Sequence, residues 1–180
     1  MGEAEERLAH LELLDGAAAY AERIHALVPR CPLLESLSLE EVRLLADFMK
    51  VYRAPAGAEI LREGEAGDFM LLVLEGSIEV LKRGRWQDQQ RIAEVGPGRT
   101  LGEMSMIDGE PRFATCLAIE PTLVAVLDRG SLARIIVEQP PLGAKLLMEL
   151  VLMLSQRLRA TSSRLLEFLD EREGMRRPLP

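Results

Sequence analysis

The stretch Phe69–Arg83, FMLLVLEGSIEVLKR, decides the fold class. Within LEGSIEV, apolar and polar positions alternate on either side of Gly76, which reads as strand, tight turn, strand. The same texture continues outward from about residue 51 to 128. KVYRAP, EIL, RIAEV, TCLAI and TLVAVLD are short runs rich in Val, Ile and Leu. Turn signals separate them at Ala56-Gly57, Glu63-Gly64, Gly67-Asp68, Arg83-Gly84 and Pro97-Gly98. That spacing suits a small antiparallel barrel or jelly roll.

On both flanks the period changes to that of a helix. Residues 3–29 are rich in Ala, Leu and Glu, with Leu8, Leu11, Ile24, Leu27 and Val28 at helical spacing and an interruption at Asp15-Gly16. They read as two helices or one bent helix. Ser38 is an N-cap with Glu41 three residues on, the capping-box spacing, and Leu44, Leu45 and Phe48 continue an apolar face toward an end near Lys50. After Ser131 a short helix reaches Gln139, Pro140-Pro141 breaks it, and a long helix runs to about Arg172. The expected class is mainly β with flanking helices (α+β). Its divisions are a helical extension over 1–30, a β region with short helices over 31–140, a long helix over 141–172 and a flexible tail over 173–180.

Bulk properties limit the function. At 180 residues the chain is one domain, or one domain with an appended helix. A net charge of −7 and a pI near 5.0 argue against the phosphate lattice of a nucleic acid as partner; Arg176-Arg177 is the only basic cluster. There is no apolar run of about 18 residues, and the N-terminus is acidic instead of basic-then-apolar. Neither a membrane span nor a secretory signal is therefore expected, and the cytoplasm is the expected compartment. Cys31 and Cys116 match no CxxC spacing and read as two idle thiols. His10 and His25 both precede the β region, which leaves no catalytic residue and no metal site to assign.

Against that background, LGEMSMIDGEPRFAT (Leu101–Thr115) stands out. Gly102 permits close backbone approach, and the next residues read as one helical turn whose free N–H groups form an anion site. Arg112, set in extended geometry after Pro111, can clamp phosphate oxygens through two N–H bonds. Glu103 repels an anion, so it accepts from a hydroxyl attached to that anion or pairs with an arginine. A plain surface pair between Glu103 and Arg112 is the alternative from spacing alone.

The long helix carries a second pattern. Leu147, Val151, Leu154, Leu158, Thr161, Leu165 and Phe168 alternate spacings of four and three, a heptad seam with polar flanks at Gln156, Arg157, Arg159, Arg164 and Glu167. The seam either packs on the chain's own barrel or pairs two copies as a coiled coil, the preferred reading. Thr161, polar within it, sets register or touches a ligand.

The Leu101–Thr115 stretch resembles the phosphate-binding cassette of cyclic nucleotide-binding domains, the family of the catabolite activator protein and of the regulatory subunits of cyclic-AMP-dependent protein kinase. The likeness extends over PAGAEILREGEAGDFMLLVLEGSIEVLKR, VGPGRTLGEM and the long helix, about residues 31–170. It implies an antiparallel eight-stranded β-roll with N-terminal helices and a long C-terminal dimerisation helix. It also implies that Gly102, Glu103 and Arg112 hold ribose and cyclic phosphate, with backbone N–H groups of Met104, Ser105 and Phe113 adding donors. Val80 and Ile92 fall where the family packs apolar side chains on the base. Thr161 and Ser162 match a Thr-Ser pair that meets the adenine amino group, the Ser from the second subunit. Phe113 departs from the family's Ala, Ser or Thr, so its ring either crowds the purine or stacks on it.

The expected protein is thus a non-catalytic sensor of cyclic AMP, with cyclic GMP the second ligand, and it uses no cofactor. It forms a homodimer through the C-terminal helix and signals to an unidentified downstream protein. No membrane is involved. Direct DNA binding is not expected, because no winged helix-turn-helix follows the dimer helix. The alternative is a constitutive dimeric scaffold whose pocket is blocked by Phe113; a cupin-like enzyme lacks the histidines it would need in the β region.

Overall fold

The computed structural model describes residues 3–84 and 88–176. Among the described residues, nine strands form two sheets in which every pairing is antiparallel. The first has the order β1 (Glu12–Gly16), β2 (Lys50–Ala54), β9 (Thr122–Asp128), β4 (Phe69–Glu75) and β7 (Thr100–Leu101). The second has the order β3 (Glu59–Leu61), β8 (Thr115–Ala118), β5 (Ile78–Arg83) and β6 (Gln89–Val95). This is a β-roll with flanking helices and a long C-terminal helix.

The run FMLLVL is apolar throughout because both faces of β4 are covered. Phe69, Leu71 and Val73 point into the roll, where Tyr52, Ile78, Val80, Cys116, Val124 and Val126 meet them. Met70, Leu72 and Leu74 point outward, where helices α2 (Ala21–His25), α3 (Leu39–Ala46), α5 (Arg129–Glu138) and α6 (Pro140–Arg176) contribute Ile24, Val42, Leu45, Ile135, Leu146 and Leu150. Alternate side chains thus enter two separate cores, the expectation for a strand period of two.

Helix α3 begins with the reciprocal cap: the Glu41 amide donates to Ser38 Oγ at 3.3 Å, and the Ser38 amide donates to Glu41 Oε2 at 2.9 Å. Lys145 of α6 pairs with Glu41 at 2.8 Å, tying the two helices together.

The N-terminal segment differs from the helical expectation. Helix α1 (Glu3–Arg7) is short, and Glu12–Gly16 forms β1, a ninth strand on the edge of the larger sheet. Its hydrogen bonds come from β2, some forty residues downstream, so Glu12, Leu13 and Leu14, all good helix formers, take the strand state through pairing that local sequence does not encode. Leu8 and Leu11 close one end of the roll. At the other end of the chain, α6 continues to Arg176, beyond the expected stop near Arg172. The rest of the expected tail, residues 177–180, lies outside the described residues.

Candidate functional site

The site is built around α4 (Glu103–Asp108), which follows β7 directly. Gly102 caps it with φ +82°, and a Cβ there would stand 2.6 Å from Arg112 Nη1. Only glycine serves both the left-handed backbone and the close approach. Gly67 makes room in the same way, since a Cβ on it would overlap the Arg112 guanidinium.

Arg112 and Glu103 are not a surface pair. Arg112 is 4% exposed and Glu103 is 2% exposed, and each has its own partners. Arg112 Nη1 donates to the Gly102 carbonyl at 2.9 Å, and its guanidinium lies 4.4 Å from the centre of the Phe69 ring. Its Nη2 is buried with no hydrogen-bond partner. Burial pushes the group down to about 10, with the Asp68 carboxylate pulling it back up. It stays a cation at neutral pH, with Nη2 left to bond. Glu103 Oε1 forms an ion pair with Arg157 of α6, while its Oε2 is buried without a partner. Arg157 also donates to the Thr100 carbonyl at 3.1 Å, and its own partial burial holds its pKa below the usual arginine value.

These groups face a cavity of about 150 Å³. Leu61, Val80, Leu101, Met104, Ala114 and Cys116 give it apolar walls, and Arg112, Glu103, Ser105 and Arg157 its polar part. Phe113 stands at the rim, 55% exposed. The chemistry is that of an apolar slot with one buried cation and one buried anion, each holding an unsatisfied atom. A ligand that joins an anionic group to a hydroxyl satisfies both.

Of the residues singled out in the sequence, Val80, Gly102, Glu103, Met104, Ser105, Arg112 and Phe113 line this cavity. Ile92 does not; it sits half exposed on β6, whose residues from Gln89 to Glu94 are all exposed. Thr161 and Ser162 are also exposed and outside the lining, and Thr161 Oγ1 donates to the Arg157 carbonyl at 2.9 Å, a bond within the helix.

The structure adds residues that sequence reasoning missed. Arg157 had been placed on the polar flank of the seam. Counted instead along Leu146, Leu150 and Met153, the buried stripe, it is the next residue facing the roll. Arg129, the first residue of α5, donates to the Ser105 and Met106 carbonyls at 2.9 and 2.6 Å and so grips the far end of α4. Among the described residues, no group of three or more His, Cys, Asp or Glu could hold a metal ion, and no helix is long and apolar enough to cross a membrane.

Comparison with known proteins places this geometry in a family. The model of the cyclic nucleotide-binding domain matches residues 52–139. A cyclic nucleotide-binding domain from Methylobacillus flagellatus is 40% identical and superposes with a TM-score of 0.82, over 93% of this chain and 96% of that one. The cyclic AMP receptor protein of Thermus thermophilus is 32% identical over 129 residues, 71% of this chain and 57% of the receptor. A cAMP-dependent protein kinase regulatory subunit of Aspergillus niger is 30% identical over 124 residues, 69% of this chain and 29% of the subunit. The chain therefore spans little more than half of the receptor and less than a third of the kinase subunit. By its roll, its cassette and these likenesses, the chain belongs to the cyclic nucleotide-binding domain family.

Proposed function

We propose that the chain is a non-catalytic sensor of cyclic AMP that responds to cyclic GMP more weakly. One observation carries this reading: the buried Arg112 cation and Glu103 anion flank a single cavity, each with an unpartnered atom. The cyclic phosphate satisfies Arg112 and the ribose 2′-hydroxyl satisfies Glu103. The names of the Thermus receptor and the kinase regulatory subunits support the same ligand.

Signalling proceeds through α6. A ribose hydroxyl that donates to Glu103 draws on the same carboxylate as Arg157, so occupancy of the cavity changes what holds α6 to α4. A preference of ~1 to 3 kcal/mol for one helix arrangement is enough. The module works as a homodimer through the exposed seam of α6, acts on a downstream protein in the cytoplasm, and contacts neither DNA nor membrane. The ligand-binding unit is the roll of residues 31–140, with α6 as its output.

A second reading rests on the cavity's size, since about 150 Å³ falls below the ~300 Å³ where small-molecule sites usually begin. If Phe113 and Arg157 never open, the chain is a constitutive dimeric scaffold.

Calorimetric titration with cyclic AMP and cyclic GMP separates the two. The sensor binds, Arg112→Ala weakens cyclic AMP by ~2 to 4 kcal/mol, and Glu103→Gln costs ~1 to 2 kcal/mol. Equal binding of 2′-deoxy cyclic AMP removes Glu103 from its role. No heat with either nucleotide leaves the scaffold.

A further inference from the structure

We propose that Phe113, held by Lys82, is a stacking shelf that makes the cavity select purine over pyrimidine cyclic nucleotides. The inference rests on the reading of the cavity as a cyclic nucleotide site and names what sets its base preference.

The first observation is where the ring stands. Phe113 lines the cavity yet is 55% exposed, whereas Val80, Ala114 and Cys116, in the same lining, are buried. A ring that plugged the slot would itself be buried by the walls it filled. This one forms the rim.

The second observation is that the ring is held. Lys82 of β5 sets its ammonium 4.3 Å from the ring centroid and donates to the Phe113 carbonyl at 2.6 Å. Glu63 fixes the lysine, pairing with Nζ at 2.8 Å while its other oxygen accepts from the Arg83 amide at 2.9 Å. The backbone is tied as well: the Arg112 amide donates to the Glu65 carbonyl at 2.7 Å, and the Gly64 amide to the Arg112 carbonyl at 2.9 Å. Lys82 holds the ring without itself lining the cavity, so the ring and not the ammonium is what the cavity presents to a base. An immobilised ring loses little entropy on stacking, and a base on an aromatic side chain gains free energy in proportion to the overlap of their faces. A purine has two rings to overlay and a pyrimidine one. With phosphate at Arg112, the residue before Phe113, the base of the same ligand leaves the slot past this rim.

Lys82 is a positioning residue in this arrangement. Its charge is matched by Glu63, so its contribution passes through the ring rather than through the ligand's phosphate.

The test is equilibrium binding of cyclic AMP and cyclic CMP to the full chain, its Phe113→Ala, Phe113→Leu and Lys82→Met variants, and the Lys82→Met/Phe113→Ala double variant. Phe113→Ala should weaken cyclic AMP about five- to hundredfold and cyclic CMP less, so that selectivity narrows; Phe113→Leu should fall between. Lys82→Met should narrow selectivity by a smaller factor, and should cost nothing further once Phe113 is alanine. Unchanged or tighter cyclic AMP binding in Phe113→Ala overturns the shelf, as does unchanged selectivity. A Lys82 effect that persists in the double variant overturns its positioning role. Arg112→Ala distinguishes the levels: loss of binding there with no change in Phe113→Ala sinks the shelf alone. A parent chain that binds neither nucleotide sinks the site reading beneath it.

Discussion

Helix α6 is one continuous element with two different halves. Up to Arg157 it lies on the body: Leu142, Leu146, Leu150 and Met153 are buried, and Arg157 reaches Glu103. From Leu158 to Leu169 every residue is exposed, including Leu158, Leu165, Leu166 and Leu169. Both halves are rich in leucine, and beyond the first turn at Pro140-Pro141 and Gly143 the helix up to Leu169 holds no proline or glycine, so propensity does not separate them. A helical stretch of about a dozen residues is marginal in water without packing, and clustered exposed leucines mark an interaction surface. One half therefore carries the contact to Glu103 at the cavity, and the other the exposed apolar face on which the proposed pairing of two copies rests.

The largest effect should come from charging the outer half. Leu158→Glu with Leu165→Glu takes four leucines out of the proposed dimer interface, each contributing ~1.5 to 3 kcal/mol if pairing buries it, for a loss of roughly 6 kcal/mol or more. Sedimentation should show a monomer with an unchanged melting temperature for the roll. A chain that is already a monomer breaks the comparison at once.

In the inner half the cost falls on the fold itself. Leu150→Ala should lower unfolding free energy by ~2 to 5 kcal/mol through loss of buried contacts and a residual cavity. Urea titration measures it; a loss below about 1 kcal/mol would mean that α6 does not lean on the sheet there.

Arg157→Met probes the border between the halves. It strips the buried Glu103 of its cation, for a loss of ~1 to 3 kcal/mol in stability. Cyclic AMP should also lose much of its effect on hydrogen exchange in α6. Exchange that still responds fully would sink Arg157 as the link.

Thr161→Leu is a smaller change. It completes the apolar seam and should tighten the ligand-free dimer by ~1 kcal/mol, while lowering selectivity for cyclic AMP over cyclic GMP. A weaker dimer with intact selectivity would mean the seam packs in another register.

The thiols should respond least. Burial pushes Cys31 up to about 11 and Cys116 up to about 12, so neither presents thiolate at pH 8. Cys116 lines the cavity, and a thiol reagent that modifies it under native conditions would reveal an opening of the roll.

Much of this architecture is local in origin and therefore legible. The alternation around Gly76 and the Ser38–Glu41 cap depend on residues within a few positions of one another, where backbone geometry dictates the pattern. Gly102, Glu103 and Arg112 lie within one short segment, whose residue types allow either an anion-and-hydroxyl site or a surface pair; the burial of both charges excludes the surface pair. The edge strand Glu12–Gly16 was not legible, because its reason for being a strand is β2.

What the sequence by itself determined was chemistry at short range: a β-roll texture, a cassette with one cation and one anion, and a helix with an apolar seam. Tertiary structure decided which charges meet. Glu103 finds Arg157, more than fifty residues away, and not Arg112; Phe113 stands at the rim and not in the slot. Periodicity reports which face of an element is apolar, whereas the packing of α6 against β7 and α4 decides what covers it. A buried charge takes the partner that this packing brings within reach.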